Sequence, residues 1–138
     1  MAITSFTGEN RFLSNFYPCM VRMEGIEYPS VEHAYQAAKT LNVAEREEIV
    51  SLTAGQAKRR GYRVTLRADW ESIKLGIMED LVRQKFNDRI LRDMLLATEG
   101  DLIEGNDWGD KFWGVCDGEG ENWLGKILMK VRSEKLSQ

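Results

Sequence analysis

Residues 28–39 read Tyr-Pro-Ser-Val-Glu-His-Ala-Tyr-Gln-Ala-Ala-Lys, and the way this stretch folds governs the rest of the chain. Pro29 is excluded from a helix interior, and the Ser30 hydroxyl can accept one of the amides left orphaned at a helix start. The stretch therefore predicts a helix beginning at Val31. On that helix Glu32, Gln36 and Lys39 fall at i, i+4 and i+7 and share a face, while Val31, Tyr35 and Ala38 form a partly overlapping apolar stripe. A core-facing helix normally keeps its carboxylates on the far side, so polar groups beside the stripe are unusual. Two readings of Glu32 stay open: it complements the helix dipole in the first turn, or it belongs to a functional site. The small residues Ala34, Ala37 and Ala38 leave room for another element to approach closely.

Around this helix the totals describe an ordinary soluble globular chain. Its 138 residues suit one domain, 1–138, with a real core; 30% are charged and 43% hydrophobic. A net charge of −3 and a pI near 5.3 argue against bulk-electrostatic binding of nucleic acid or membrane, so any phosphate contact must come from a local patch. Cys19 and Cys116 are far apart and His33 is the only histidine, an inventory that argues against a zinc or other metal site. No apolar run approaches a membrane span and no signal peptide is visible, which makes the reducing cytoplasm the expected compartment.

Residues 3–6 and 20–28 read as short strands, with Glu24-Gly25 turning the chain between Val21–Met23 and Ile26–Tyr28. Phe12-Leu13-Ser14-Asn15-Phe16-Tyr17-Pro18 suits an ordered, packed loop, with Phe12 and Phe16 in the core and Asn15 free to meet a ligand. Asn42 with Glu45 predicts a capped helix over roughly 43–52; Thr53 with Gln56 repeats the signature, and Gly61 stops the short helix that follows. Lys58, Arg59, Arg60, Arg63 and Arg67 put five cations in ten residues, more than a helix dipole asks for. Arg is well shaped to grip phosphate, so part of this cluster is either a phosphate site or a solvated face.

Asp69 can cap a helix over roughly 70–86 whose Ile73, Ile77, Met78, Leu81, Val82 and Phe86 keep a 3.6-residue period. Trp70 stands at its start, outside the main stripe, where an indole can face a cleft. Asp88 caps a further helix with Ile90, Leu91, Met94 and Leu95 buried, and Leu102-Ile103 suggests a brief strand. Residues 104–121 hold five glycines, two tryptophans and several acids, a poor helix and a poor strand. A loop of that length in a compact domain is functional or disordered, and its aromatics speak against disorder. Asn122 then caps a last helix with Leu124, Ile127, Leu128 and Val131 facing the core.

Taken together, Phe12-Leu13-Ser14-Asn15-Phe16, residues 28–39, Leu66-Arg67-Ala68-Asp69-Trp70-Glu71-Ser72, Asp110-Lys111-Phe112-Trp113-Gly114 and Asn122-Trp123-Leu124-Gly125 resemble the motifs of the NADAR family, in the family's order and over nearly the whole chain. The resemblance implies an α+β, mainly helical single domain with a few short strands near the N-terminus. It also implies an enzyme, needing no cofactor, that hydrolyses N-glycosidic bonds on phosphate-bearing ribose. Activities in the family include cleavage of phosphoribosylamino-pyrimidine intermediates of riboflavin synthesis and removal of ADP-ribose from guanine in DNA or RNA. Carried over by motif, Glu32, Asp110 and Lys39 are the catalytic candidates, with Trp70 and Trp113 beside them. His33, Tyr35, Gln36 and Asn122 are further substrate contacts. Gly114-Val115-Cys116-Asp117-Gly118 departs from the glycine-rich or acidic run often found there, which puts substrate preference rather than chemistry in question.

Such a bond breaks through an oxocarbenium-like ribose, with negative charge gathering on the departing base. One carboxylate can stabilise the cation or activate water while the other protonates the leaving nitrogen. Glu32 is read as the first and Asp110 as its partner, with the two roles exchangeable; Trp70 and Trp113 would frame the base and exclude water. Trp108 and Trp123 are assigned to core packing. Lys39 either holds a phosphate or developing oxyanion or attacks ribose C1 as an amine; Glu32 and Gln36 beside it suggest a hydrated neighbourhood and favour the former. Arg67, Lys58 and Arg60 are the phosphate candidates and Asn15 the ribose-hydroxyl contact. Rival readings are a non-catalytic ADP-ribose or NAD sensor and an interaction module without chemistry.

Overall fold

The helix expected after Pro29 forms. In the computed structural model, which describes Met1–Gln138, it is α1, Val31–Ala38, and Ser30 Oγ accepts the His33 amide at its start. Before it come a 3-10 helix at Gly8–Leu13 and a hairpin of β1 (Val21–Met23) and β2 (Ile26–Tyr28). After it come α2 (Val43–Val50), α3 (Ala54–Arg60), α4 (Trp70–Lys85), α5 (Arg89–Leu96), β3 (Gly105–Asn106), β4 (Val115–Cys116) and α6 (Trp123–Leu136). Helices with four very short strands make the α+β, mainly helical class that the motifs implied. The residues group into two units: Asn15–Lys85, and Met1–Ser14 with Phe86–Gln138.

In the middle unit every residue of α1 is buried. The reason is in its small side chains: Ala34, Ala37 and Ala38 are fully enclosed, so α2, α3, α4 and the hairpin all reach this one helix. The hairpin pairs Val21 with Tyr28 and Met23 with Ile26 in antiparallel register. Its turn puts Glu24 at φ 49° and Gly25 at φ 85°, the left-handed pair that suits the twist of two flanking strands. Asn42 caps α2 as expected, accepting the Glu45 amide at 3.0 Å. Only half of that capping box forms, because the Glu45 carboxylate turns to Thr40 Oγ1 and the Thr65 amide instead. The box on α3 is complete, with Thr53 and Gln56 each holding the other's amide.

Helix α4 buries Met78, Leu81 and Val82, and leaves Ile73 and Ile77 half-buried. Asp69 does not cap it through its side chain, because both carboxylate oxygens are taken by Arg67. Phe16, expected in the core, is 43% exposed; the polar turn at Ser14-Asn15 directs Asn15 inward in its place. Lys85, at the end of α4, is only 1% exposed, with its ammonium 5.7 Å from the Tyr17 ring. Burial drops its pKa to about 8, with Cys19 acting weakly in the other direction.

In the terminal unit Phe12 and Leu13 of the 3-10 helix are buried, where a loop was expected. Residues 3–6 do not make a strand: a single parallel bridge joins Ile3 to Leu102. Asp88 caps α5 by accepting the Leu91 amide at 3.0 Å. Leu91 and Leu95 are buried, but Ile90 is 72% exposed, since one step along a helix turns a side chain about 100° off the buried line. Helix α6 buries Leu124, Ile127, Leu128 and Val131 as its period requires. Asn122 does not cap it: in the left-handed region (φ 54°, ψ 42°) its side chain points elsewhere, donating to Leu102 O and accepting the Glu104 amide, both at 3.0 Å. Trp108, expected in the core, is 57% exposed at a loop tip next to Gly109, where no second layer covers it.

Candidate active site

The site grows from the polar face of α1. Glu32 is buried, and Gln36 Nε2 donates to its Oε2 at 2.7 Å. The Glu32 backbone is fixed too, its amide donating to Asn15 O at 3.0 Å. The amide of Gln36 must present nitrogen to the carboxylate, since its oxygen would repel it. That orientation leaves Gln36 Oε1 buried with no hydrogen-bond partner, and Asn15 Oδ1 is in the same condition. Buried acceptors without partners are rare in proteins, and Gln36 keeps one because its nitrogen is committed to Glu32.

Gly61 lies against this group. Its φ of −59° is ordinary right-handed geometry, so it is not glycine for the sake of a helix stop. A Cβ there would lie 1.8 Å from Gln36 Oε1 and 2.7 Å from Gln36 Cδ. The missing side chain is what lets Gln36 hold Glu32.

One turn further on, Lys39 lies within 5.5 Å of the Tyr35 ring centroid and 5.7 Å of the Tyr62 ring centroid. Tyr35 in turn packs on Trp70, centroids 5.2 Å apart and rings tilted by 57°. Desolvation lowers the Lys39 pKa; Glu32 pulls it back up, while Lys74 and Lys58 add to the lowering. This corrects the fully hydrated neighbourhood expected from the sequence: Lys39 is half-buried near the Tyr35 and Tyr62 rings, and burial is the largest cause of its lowered pKa. Trp70 starts α4 as expected but is buried against Tyr35, so it backs that ring.

His33 is engaged at both ring nitrogens, Nδ1 with Ser30 Oγ and Nε2 with Leu52 O, each at 2.6 Å. A carbonyl only accepts, so Nε2 carries a hydrogen; the Ser30 hydroxyl, already accepting an amide, gives its own hydrogen to Nδ1. His33 thus ties α1 to the residues after α2 and offers no group to a ligand. Of the phosphate candidates, Arg60 is paired with Glu48 at 2.8 Å and Glu45 at 3.4 Å, and Arg67 grips Asp69 with two contacts. The cluster divides: those two arginines are neutralised inside the unit, whereas Arg59 and Arg63 are exposed and outside every ion pair. Tyr62 between them, 76% exposed, was missed in the sequence; its signal is an aromatic residue set inside a basic run.

Asp110 and Trp113 belong to the terminal unit. There Asp110 Oδ1 accepts the amides of Phe112 and Trp113, at 3.1 and 2.9 Å. Asn106, also missed, clamps the Asp110 backbone from both sides: Nδ2 donates to its carbonyl at 2.9 Å and Oδ1 accepts its amide at 3.0 Å. Trp113 is half-buried and meets Phe112 edge to face, centroids 4.8 Å apart. Both polar atoms of the Asn122 amide are used on backbone, as described above.

Likeness over the whole chain decides the family. The NADAR domain model matches residues 5–136. The chain belongs to the NADAR family. The match runs through both units. A riboflavin biosynthesis protein of Vibrio vulnificus is 42% identical over 89% of the chain, and a chloroplastic riboflavin biosynthesis protein of Zea mays is 34% identical over 89%. The chain spans only 35% and 23% of the lengths of those two proteins. The N-glycosidase YbiA of Escherichia coli is 35% identical over 88% of the chain and 79% of YbiA. Its NMR structure superposes with a TM-score of 0.83 at 34% identity, covering 100% of this chain and 88% of YbiA.

Proposed function

We propose that this NADAR chain is an N-glycosidase that cleaves the bond between a base nitrogen and a phosphate-bearing ribose, with ADP-ribosylated guanine as its substrate. The observation that carries the reading is a buried, hydrogen-bonded carboxylate, Glu32, on α1 together with a partly desolvated amine, Lys39, at the C-terminal cap of the same helix. A carboxylate pinned by an amide donor stabilises positive charge at the anomeric carbon or takes a proton from water. The YbiA name and the length of chain shared with it support this class of reaction.

Lys39 suits covalent chemistry better than anion holding, since a lowered pKa supplies neutral amine. Where the base is linked through an exocyclic nitrogen, opening of the ribose ring leaves a C1=N imine. The Lys39 amine adds to C1 and the base departs as its free amine, taking a proton; water then adds to the new imine, releasing the sugar aldehyde and regenerating Lys39. Glu32 moves the protons in both halves. Asn15, whose Oδ1 has no hydrogen-bond partner within the protein, accepts from a ribose hydroxyl.

A second substrate, a phosphoribosylamino-pyrimidine, has one observation in its favour: the riboflavin biosynthesis names of the Vibrio and maize relatives. It presents the same linkage, an exocyclic amine on ribose. The test is a side-by-side assay of ADP-ribosyl-guanine oligonucleotide and phosphoribosylamino-pyrimidine, following free sugar. Turnover of the first, abolished by Glu32→Gln with binding retained, supports the proposal. Stoichiometric binding without turnover of either substrate overturns it in favour of a sensor.

A further inference from the structure

The basic run that begins in the last turn of α3 is half absorbed by ion pairs, and the remainder has a use that the hydrolytic reading leaves unassigned. We propose that Tyr62, flanked by Arg59 and Arg63, is a nucleotide-binding platform at the rim of Lys39, stacking a base on its ring and holding the adjoining phosphate with the two guanidinium groups.

Four observations converge on it. Tyr62 is 76% exposed, more than any other aromatic residue in the chain. The exposure is built in: backbone bonds from the Tyr62 amide to Arg59 O (3.2 Å) and from the Arg63 amide to Arg60 O (2.9 Å) hold the turn that projects the ring. Arg59 and Arg63 are exposed and take part in no ion pair, while Arg60 between them is held by Glu45 and Glu48. Lys39 stands 5.7 Å from the Tyr62 centroid, which puts the platform beside the reacting amine.

The chemistry fits one class of ligand. An exposed ring with exposed arginines three residues before it and one after it pairs a flat π-surface with cations for a phosphate, the two parts of a nucleotide. A bare phosphate would not need the ring, and an apolar partner would not need the arginines. Stacking accepts any base, so the platform adds affinity without sequence preference. The net charge of −3 makes this local patch, rather than the bulk field, responsible for holding an anionic ligand. Two sources present the same chemistry: the adenosine-phosphate end of an ADP-ribosyl substrate, and the nucleotide next to a modified base in a single strand. The inference rests on the proposed function for its place in catalysis, but not for its test.

The experiment measures binding of ADP and of an unmodified single-stranded hexanucleotide, by calorimetry or fluorescence anisotropy, to the wild type, Tyr62→Ala, Tyr62→Phe and Arg59→Ser/Arg63→Ser. Tyr62→Ala weakens binding about 5- to 100-fold, Tyr62→Phe keeps it, and the double arginine variant flattens its salt dependence. An effect on ADP identifies the substrate's own adenosine end; an effect on the hexanucleotide alone identifies the flanking nucleotide. Both support the platform. Affinity for both ligands within twofold of wild type in Tyr62→Ala, with thermal unfolding unchanged, overturns it. Neither readout needs turnover, so a protein that binds through Tyr62 yet hydrolyses nothing refutes the proposed function and leaves the platform standing.

Discussion

Replacing Gly61 by Ala probes the geometry of the site through one methyl group. At φ −59° an alanine is at home, and where space allows such a change stabilises a protein by about 0.4–1 kcal/mol through the unfolded chain. Space is not allowed here, because the new Cβ would lie 1.8 Å from Gln36 Oε1, 2.7 Å from Cδ and 3.3 Å from Cγ. Gln36 therefore has to swing aside, and Nε2 leaves Glu32 Oε2, now at 2.7 Å. Overpacking of this kind costs about 1–3 kcal/mol of stability. Loss of a hydrogen bond to a buried carboxylate costs about 1.5–3 kcal/mol, which is about 10- to 150-fold in kcat if the bond persists in the transition state.

Urea unfolding and steady-state hydrolysis measure the two effects separately, and a cycle with Gln36→Ala assigns them. Once Gln36 is shortened, Gly61→Ala meets open space and becomes neutral or stabilising, so the two changes are strongly non-additive. A Gly61→Ala protein as stable as the wild type, with kcat intact, would refute the claim that this glycine exists to seat Gln36. The stability arm needs no substrate and holds whichever N-glycoside is cleaved.

Three further outcomes are expected. Cyanoborohydride added during turnover traps a protein–sugar adduct at Lys39, whose lowered pKa raises the share of free amine; an active enzyme that never yields the adduct counts against the imine route. Lys85 is held at a pKa of about 8, below its unfolded value, so between about pH 8 and 10 the unfolded chain binds more protons and stability rises with pH. Lys85→Met removes that slope, and its stability advantage over wild type, at most about 3 kcal/mol at pH 7, shrinks by pH 10; a constant difference across that range would contradict the desolvated ammonium. Asp110→Asn keeps an oxygen for the Phe112 and Trp113 amides and so preserves the melting temperature while losing turnover, whereas Asp110→Ala loses about 1–3 kcal/mol of stability as well. Equal turnover in Asp110→Asn and wild type would reduce Asp110 to a loop cap.

Local chemistry alone determined a good part of this protein. Pro29 and Ser30 set the start of α1, Thr53 with Gln56 closed the box on α3, and Asp88 capped α5, because each acts on amides two or three residues away. The same short range placed Glu32, Gln36 and Lys39 on one helix face. What tertiary structure decided is the condition of those groups. Lys39 is partly desolvated in the fold, near Tyr35, one turn back, and Tyr62, which follows another helix; Arg60 is neutralised by acids on α2; Gly61 is glycine on account of Gln36. Trp70, expected to face a cleft, went under Tyr35, while Trp108, Phe16 and Ile90, expected in the core, came out. Periodicity and capping are settled within a turn or two of chain, but dielectric, ion pairing and close approach depend on segments that meet only after folding, and those are the quantities on which the chemistry of Glu32 and Lys39 depends.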